Sequence, residues 1–505
     1  MANVTACRAV FREFESLSRH FIYQVFTVVL RVYNTLTREN EDFVPLNGKK
    51  VNMYVCGPTV YDHCHLGHAR SYVSFDIIRR YLMYRGYNVN YVSNITDVDD
   101  KVIDRAKESG EDAFELSKKF TESFEEDMQA LGVMEPDTRP KVTEHIEDII
   151  DTVATLIDNG AAYSTSKGNV YYDLQKSADR IGILSHQTVE GLMEGSGCRI
   201  DVEDDKKYQL DFVLWKNSPG NEPGWDSPWG RGRPGWHIEC TVMSMKYCSE
   251  QLDIHGGGLD LVFPHHEAEI HQSESCTGKH PFSKYWMHNG FLTIDKEKMS
   301  KSLGNFFTIK EVLAKFPPGT IRFFIVYTHY RSTIDFSEDA LVEAGKARQR
   351  LLNTISNVKH AVSEATDNNA DCGLSELMDE TRSSFVESMD DDFNTREAIG
   401  NLFVFSRKVN SILTNEKPGR NSLENVLDFF SEINEVLGIF EDDSKKTSEK
   451  ESSGLSDEDI KEMIELRERA RIDRDWATAD SIRDKLKEKG IVIEDGKEGV
   501  RWKRV

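Results

Sequence analysis

Residues 54–70 read YVCGPTVYDHCHLGHAR and crowd Cys56, His63, Cys64, His65 and His68 into one turn between an apolar run and a helical pattern. One chemistry that fits is phosphate binding. A helix starting near His65 would aim its free backbone N–H groups and the positive end of its dipole at an anion. Gly67 would let a nucleotide approach the backbone, and His65 and His68, three apart, could donate hydrogen bonds to charge growing on a phosphate. The plain alternative is two satisfied surface histidines. Further on, KMSKS puts Lys298 and Lys301 in a Ser- and Gly-containing loop. Such a loop can close on a bound nucleotide and supply charge that favours the transition state; taken alone it is a solvated charge run.

The second chemistry is metal binding. His265 and Glu269 stand i, i+4 at the start of a helix opened by Pro264, so both project from one face. Cys56 at the end of a strand and Cys240 after WHIE fall at the same sheet edge. Two thiolates, an imidazole and a carboxylate suit tetrahedral zinc. His266, Cys64 or Glu267 could stand in for one of them, but spacing favours Cys56, Cys240, His265 and Glu269. Competing motifs fail: HEAEI has Ile270 where a zinc protease needs histidine, TGKH has Ser273 where a P-loop needs its first glycine, and NITDVDDK lacks the glycine and distal glutamate of a calcium loop.

The elements that must position these residues are legible as a β-α-β unit. VNMYVC reads as a buried strand, Val73, Ile77, Ile78, Tyr81 and Leu82 recur at helical spacing up to Gly86, and NVNYVSNIT reads as a second strand. Such units build doubly wound parallel sheets that bind ligands beyond the carboxyl ends of their strands. LDIHGGGLDLVFPHHEAEIHQSESC repeats the order strand, glycine turn, helix. The expected organisation is an N-terminal extension (1–29), a Rossmann-type α/β domain (30–337) with an inserted segment at about 130–210, a helical bundle (338–440), a linker (441–455) and a small α+β domain (456–505). In the bundle Leu341, Ala344, Leu351, Leu352, Ile355 and Val358 form one stripe and two further helical segments follow; in the last domain Ser456 caps a helix running to about Lys489, and a hairpin ends the chain.

Composition narrows the class. At 505 residues, with 39% apolar and 30% charged residues and no apolar stretch long enough to cross a bilayer, no membrane role is expected. The eight cysteines are too scattered for a secreted disulfide framework, which favours the cytoplasm. A net charge of -23 argues against sequence-blind polyanion binding, though not against a locally basic face. Arg8, Arg12 and Arg19 leave organellar import through the extension as an alternative, opposed by Glu13 and Glu15.

HLGH and KMSKS, in this order around a β-α-β sheet, resemble the class I aminoacyl-tRNA synthetases. CGPTVYDHCHLGHAR, NITDVDDK, GRPGWHIEC, HGGGLDLVFPHHEAE and KMSKSLGNF are similar to the cysteinyl-tRNA synthetase family, from about Leu30 to Val505. Leu66 replaces the more usual isoleucine, and Met1 to about Thr27 lies outside the pattern. The resemblance implies ATP-dependent conversion of L-cysteine, with Mg2+, to cysteinyl-adenylate and transfer to the 3′-terminal adenosine of tRNA(Cys), by a monomer. It implies one zinc ion per chain, Zn2+, that binds the substrate thiolate. His65, His68, Lys298 and Lys301 would act in catalysis, and Gly57, Thr96, Trp236 and His255 would surround the amino and carboxylate groups of cysteine. ATP would meet His65, Gly67, His68 and Lys301; GGGLD would add Gly257 against adenine and Asp260 on the ribose hydroxyls, a plain turn being nearly as good a reading. Arg467, Arg469, Arg471, Arg474, Arg483 and Lys485, with Trp502 between Arg501 and Lys503, could grip an anticodon stem and stack on an unpaired base, although such mixed charge is often only a solvated helix. A cysteine ligase acting on an amino sugar would lack the distal portion, and a non-catalytic paralogue would lose charges at HLGH or KMSKS.

Overall fold

A computed structural model describes residues 29–189, 191, 205–294, 297–298, 306–368, 370–441, 457–489, 491–496 and 499–504. The N-terminal extension read as a candidate import segment lies outside the described residues but for its last residue, as do Lys301 and Ser456.

The centre of the first compact unit is a four-stranded sheet. Strand β1 (Lys50–Val55) is buried from Val51 onward, which its unbroken apolar and amide sequence requires of a strand covered on both faces. Helix α1 (Leu66–Tyr84) follows it and leads to β2 (Asn88–Val92), parallel to β1. After a long excursion the chain returns through α2 (Trp236–Tyr247) to β3 (Leu252–Gly258), which pairs with the other side of β1, and α3 (Glu267–Thr277) leads outward to β4 (Ser283–Asn289). The order β4-β3-β1-β2 is wholly parallel, so strand order reverses between β1 and β3. A crevice beyond the strand ends is expected at that point.

The excursion carries helices Asp100–Ser109, Ala113–Ala130 and Ile146–Asp158 and an antiparallel sheet of Ala162–Ser164, Val170–Tyr172, Phe212–Asn217 and Gly232–Pro234. That sheet runs past residue 210 to the threshold of α2, because its last strand is only Gly232–Pro234. Leu292–Ile294 pairs with Glu297–Lys298 and with Ile334–Phe336. Helices Glu338–Glu364, Leu374–Asp390, Thr395–Asn415 and Arg420–Leu437 then form the bundle, with three helices after the first where periodicity indicates two. The Asn394 side chain accepts from the Glu397 N–H and starts a separate helix just after Asp392 and Phe393 enter positive φ, a break inside one apolar period.

The second unit has its own small core of Ile460, Ile464, Leu486 and Ile491. Its helical part is two helices, Asp457–Ile472 and Trp476–Glu488, rather than one reaching Lys489. Arg474 takes a left-handed φ of 58°, and Asp475 caps the second helix by accepting from the Thr478 N–H at 3.1 Å. Ile491–Gly496 and Gly499–Arg504 pair as an antiparallel hairpin.

Arg70 locks α1 to the segment before the bundle. Its guanidinium is buried and donates to the carbonyls of Ile325, Thr328, His329, Tyr330 and Ser332. Each carbonyl left without a donor costs about 1–3 kcal/mol. Arg70→Met keeps the aliphatic stem and removes the donors, and should lower the stability of this unit by about 3–5 kcal/mol, as for breaking a buried charged network. Chemical denaturation of the full chain checks this; an unmoved first transition contradicts it.

Candidate active site and metal centre

Cys56 leaves β1 with its N–H donated to the Gly256 carbonyl of β3, 3.1 Å away, so the first thiol sits at the point where strand order reverses. Cys240 projects from the second turn of α2 toward it, with Sγ to Sγ 3.8 Å. His265 brings Nε2 to 3.4 Å from Cys240 Sγ and 3.3 Å from Glu269 Oε1, and that oxygen lies 3.7 Å from Cys56 Sγ. All of these residues are buried. A tetrahedral zinc with ordinary Zn–N and Zn–S bonds has donor-to-donor edges of about 3.3–3.8 Å, some 1.6 bond lengths. The spacings match that figure, so the donor set fits the ion in both chemistry and size.

His265 does not enter on a regular helix. Val262–His266 is a π-type turn with Phe263 extended, and α3 begins only at Glu267. A second grouping, Cys56, His255, His266 and Glu269, shares donors with the first. In it His266 Nε2 is 3.3 Å from Cys56 Sγ and His255 Nε2 2.9 Å from Glu269 Oε2. Those contacts have ordinary hydrogen-bond lengths, and they orient the thiol and carboxylate of the first set. Cys64 packs in the apolar core, and Glu267 accepts from the N–H groups of Leu184 and Ser185; among the described residues neither joins a metal grouping. Burial pushes the Cys56 thiol and the Glu269 carboxyl up and the His265 and His266 imidazoles down. A cation reverses that tendency for the thiol and carboxyl and uses the neutral imidazole directly.

The two histidines of HLGH cap α1 reciprocally. His65 Nδ1 accepts from the Gly67 N–H at 3.0 Å, and His68 Nδ1 accepts from the His65 N–H at 3.2 Å, with the rings 3.9 Å apart. With Nδ1 an acceptor in each, the neutral ring carries its proton on Nε2. The capping turn is also tied to the chain just beyond KMSKS: Leu66 N–H donates to Phe307 O, and Ile309 N–H to Cys64 O. Lys298 ends the short strand Glu297–Lys298, and residues 299–305 lie outside the described residues.

The remaining sequence-derived residues divide. Gly57 donates its N–H to Asn94 Oδ1 at 2.7 Å, and Thr96 donates to Glu239 Oε2 at 3.1 Å. Trp236, at the first turn of α2, lies 4.5 Å from the His265 ring, which brings Gly57, Thr96 and Trp236 beside the metal donors. His255 is fully buried, stacked on Trp286 at 4.4 Å. Gly257 lies against His266, whose ring leaves no room for a Cβ, while Asp260 is exposed. Sequence reasoning missed Asn94, His237 and His288. His237 Nδ1 sits 3.0 Å from His265 Nδ1, and His288 Nε2 sits 2.8 Å from His266 Nδ1. His288 is the penultimate residue of β4 and Cys56 follows the last residue of β1, and that position near a strand end was the available signal.

Comparison with known proteins shows the family. Residues 42–346 match the catalytic domain described as tRNA synthetases class I (C), residues 384–441 the DALR domain, and residues 455–502 the cysteinyl-tRNA ligase anticodon binding domain. A cysteine–tRNA ligase of Thermococcus onnurineus is 49% identical over 95% of this chain and all of its own length. The chain belongs to the cysteine–tRNA ligase family. A cysteine–tRNA ligase of Bacillus licheniformis is 48% identical over 94% of this chain and 99% of its own. Mycobacterium tuberculosis methionyl-tRNA synthetase in complex with methionyl-adenylate shares the fold at a TM-score of 0.58 and 15% identity, covering 77% of this chain and 89% of that one. The ligase is thus a class I synthetase with a Rossmann-type sheet, helical domains and an anticodon-binding domain, and its substrates are ATP, cysteine and tRNA. No helix among the described residues is long and apolar enough to cross a membrane.

Gly57 gives the ligase a sharp test. A Cβ there would fall 1.5 Å from the Asn94 carbonyl oxygen, so the chain beside Cys56 cannot keep its course with any side chain. Gly57→Ala should cut cysteine-dependent pyrophosphate exchange at least ~100-fold, the equivalent of about 3 kcal/mol. Unchanged exchange would show that the strand end yields freely.

Proposed function

We propose that this crevice converts L-cysteine and Mg·ATP to cysteinyl-adenylate and passes the cysteine to the 3′-terminal adenosine of tRNA(Cys), with zinc held by Cys56, Cys240, His265 and Glu269. The observation that carries the reading is a tetrahedron-sized set of thiol, imidazole and carboxylate donors at the same sheet edge as the capped helix α1. Bound there, zinc supplies a soft Lewis acid that takes a thiolate and discriminates against the hydroxyl of serine. An apolar pocket would separate such near-isosteres by only about a hundredfold or less.

The chain's own groups do the rest. The N-terminus of α1 offers N–H groups and dipole to the triphosphate, and His65 and His68 donate through Nε2–H to charge that builds as the cysteine carboxylate attacks the α-phosphate. Lys298 and Lys301 add charge when their loop closes. Gly67, Gly257 and Asp260 border the nucleotide, and Gly57, Thr96, Trp236 and His255 the amino acid. No protein nucleophile or general base is needed. Residues 456–505 hold the anticodon end of the tRNA beyond a linker at 441–455, and residues 338–440 serve as a helical spacer after a catalytic domain at 30–337. We place the enzyme in the cytoplasm as a monomer; among the described residues Cys56, Cys64, Cys240, Cys248, Cys276 and Cys372 form no disulfide, which suits a reducing compartment.

Exchange of pyrophosphate into ATP that depends on cysteine and not on serine tests the whole reading. Cys56→Ser should lose zinc and cysteine affinity, because an alcohol stays protonated near neutral pH; Cys64→Ser should keep both. Full zinc content in Cys56→Ser, or its loss in Cys64→Ser, would overturn the ligand assignment. Truncation after Gly454 should leave adenylation nearly intact and weaken tRNA charging; equal loss of the two in a folded fragment speaks against separate contacts.

A further inference from the structure

Glu239 carries a carboxylate beside the crevice without a cation to meet it. It follows Trp236 by three residues and precedes Cys240 by one, so Glu239 and Cys240 each neighbour Trp236 on the surface of α2. It is 1% exposed. Its Oε2 receives the end of a directed hydrogen-bond chain: Gly57 N–H to Asn94 Oδ1, Asn94 Nδ2 to Thr96 Oγ1 at 3.2 Å, and Thr96 hydroxyl to Glu239. That chain fixes the carboxylate's direction and supplies one donor, the hydroxyl.

Several other buried acids of the fold have stronger partners. Asp76 has the guanidinium groups of Arg322 at 2.5 Å and Arg80 at 2.8 Å, and Asp392 has that of Arg331 at 2.5 Å. Asp253 accepts the N–H groups of Leu46 and Asn52, and Glu267 those of Leu184 and Ser185. Glu239 has neither kind of partner among the described residues; its carboxylate meets only the Thr96 hydroxyl. Lys101 instead holds its ammonium over the rings of Tyr61 and Trp236, 5.7 Å from each. A carboxylate sequestered this way is poised for a cation that arrives with the ligand.

We infer that Glu239 receives the α-ammonium group of the substrate cysteine. This rests on the reading that cysteine occupies the crevice with its thiol at the donor set. In cysteine the sulfur and the amino nitrogen are joined through the Cα–Cβ link alone, and in the protein the metal-donor Cys240 and the ammonium-binding Glu239 are chain neighbours. The two short separations correspond. Thr96, in contact with Glu239, then acts by orienting the carboxylate.

The test compares two ligands on the full-length, zinc-loaded chain: L-cysteine, and 3-mercaptopropionate, which has the thiol and carboxylate but no ammonium. Wild type should bind cysteine at least about 30-fold more tightly, the lower end expected for a buried charged pair. Glu239→Gln, which keeps the shape and an acceptor for Thr96, should lose that preference through weaker cysteine binding, with 3-mercaptopropionate affinity and zinc content unchanged. Glu239→Asp keeps the charge, should retain part of the preference, and serves if the amide variant does not fold. Equal loss for both ligands, or an undiminished preference in Glu239→Gln, overturns the assignment. Wild type that binds both thiols equally overturns it while leaving the crevice reading intact; wild type that binds neither removes that reading and this assignment with it.

Discussion

The pairing of Lys50–Val55 with Leu252–Gly258 is the constraint from which the site follows. Met53, Tyr54 and Val55 lie opposite Ile254, His255 and Gly256, and the ladder ends as Cys56 donates to the Gly256 carbonyl. Because side chains alternate along a strand, a slip of one residue would turn Cys56 and His255 to the wrong faces and dissolve the donor set. Gly256 also lets α1 in: a Cβ there would fall 2.4 Å from Phe75 of that helix. The close approach carries the start of α1, with His65 and His68, to the edge that holds the thiols. The capped start of α1 and the thiol donors share one sheet edge because one glycine permits one packing.

That crevice is electrostatically expensive. Cys56, Cys240, Glu239 and Glu269 are buried together, and burial disfavours the charged form of the thiol and carboxyl groups for which a shift is evident. The same desolvation takes His237, His255 and His288 down to about 3. Imidazoles held neutral can serve as ligands or as two-sided hydrogen-bond bridges. The bridges are visible: Cys56 to His266, His266 to His288, and His288 Nδ1 to Thr35 Oγ1 at 2.8 Å, with His237 against His265 on the other flank. A cation bound among the thiols and Glu269 therefore meets donors already aligned, and little reorganisation remains for binding.

What could be read in the chain, and what could not, follows the range of each signal. The β-α-β unit declared itself because VNMYVC and NVNYVSNIT are dense in strand formers and the helix between them keeps its period. Thiols at element ends and an i, i+4 His–Glu pair are local patterns, so the donor set could be named and its members are found together. Glu239 is different. In WHIEC it looks like a helix surface carboxylate, but it is buried and its hydrogen-bond partner is Thr96, more than a hundred residues away. The sheet strand Gly232–Pro234 is too short for alternation to register, whereas NVYYDL reads as a strand and holds Val170–Tyr172; the break at Arg474 hides in IDRDWAT, where an Asp–x–x–Thr cap is lost among charges. Pro264 was a true signal read too simply: it sits in a π-type turn that presents His265, not in the first turn of an α-helix.

The histidines of HLGH show why a structural and a functional reading need not compete. A helix N-terminus needs acceptors for its unpaired N–H groups, and serine or aspartate side chains meet that need more commonly. Here the acceptors are imidazole nitrogens, His65 Nδ1 for Gly67 and His68 Nδ1 for His65. A serine in either place would satisfy the backbone equally well and leave nothing beyond it. An imidazole has a second nitrogen on the far side of the ring, and engaging the first as an acceptor obliges the second to carry the proton. The cap therefore does more than end the helix neatly. It fixes two N–H donors in one tautomer at the positive end of a dipole, so that the hydrogen bonds that begin α1 would also prepare the donors that the proposed attack on a phosphate requires.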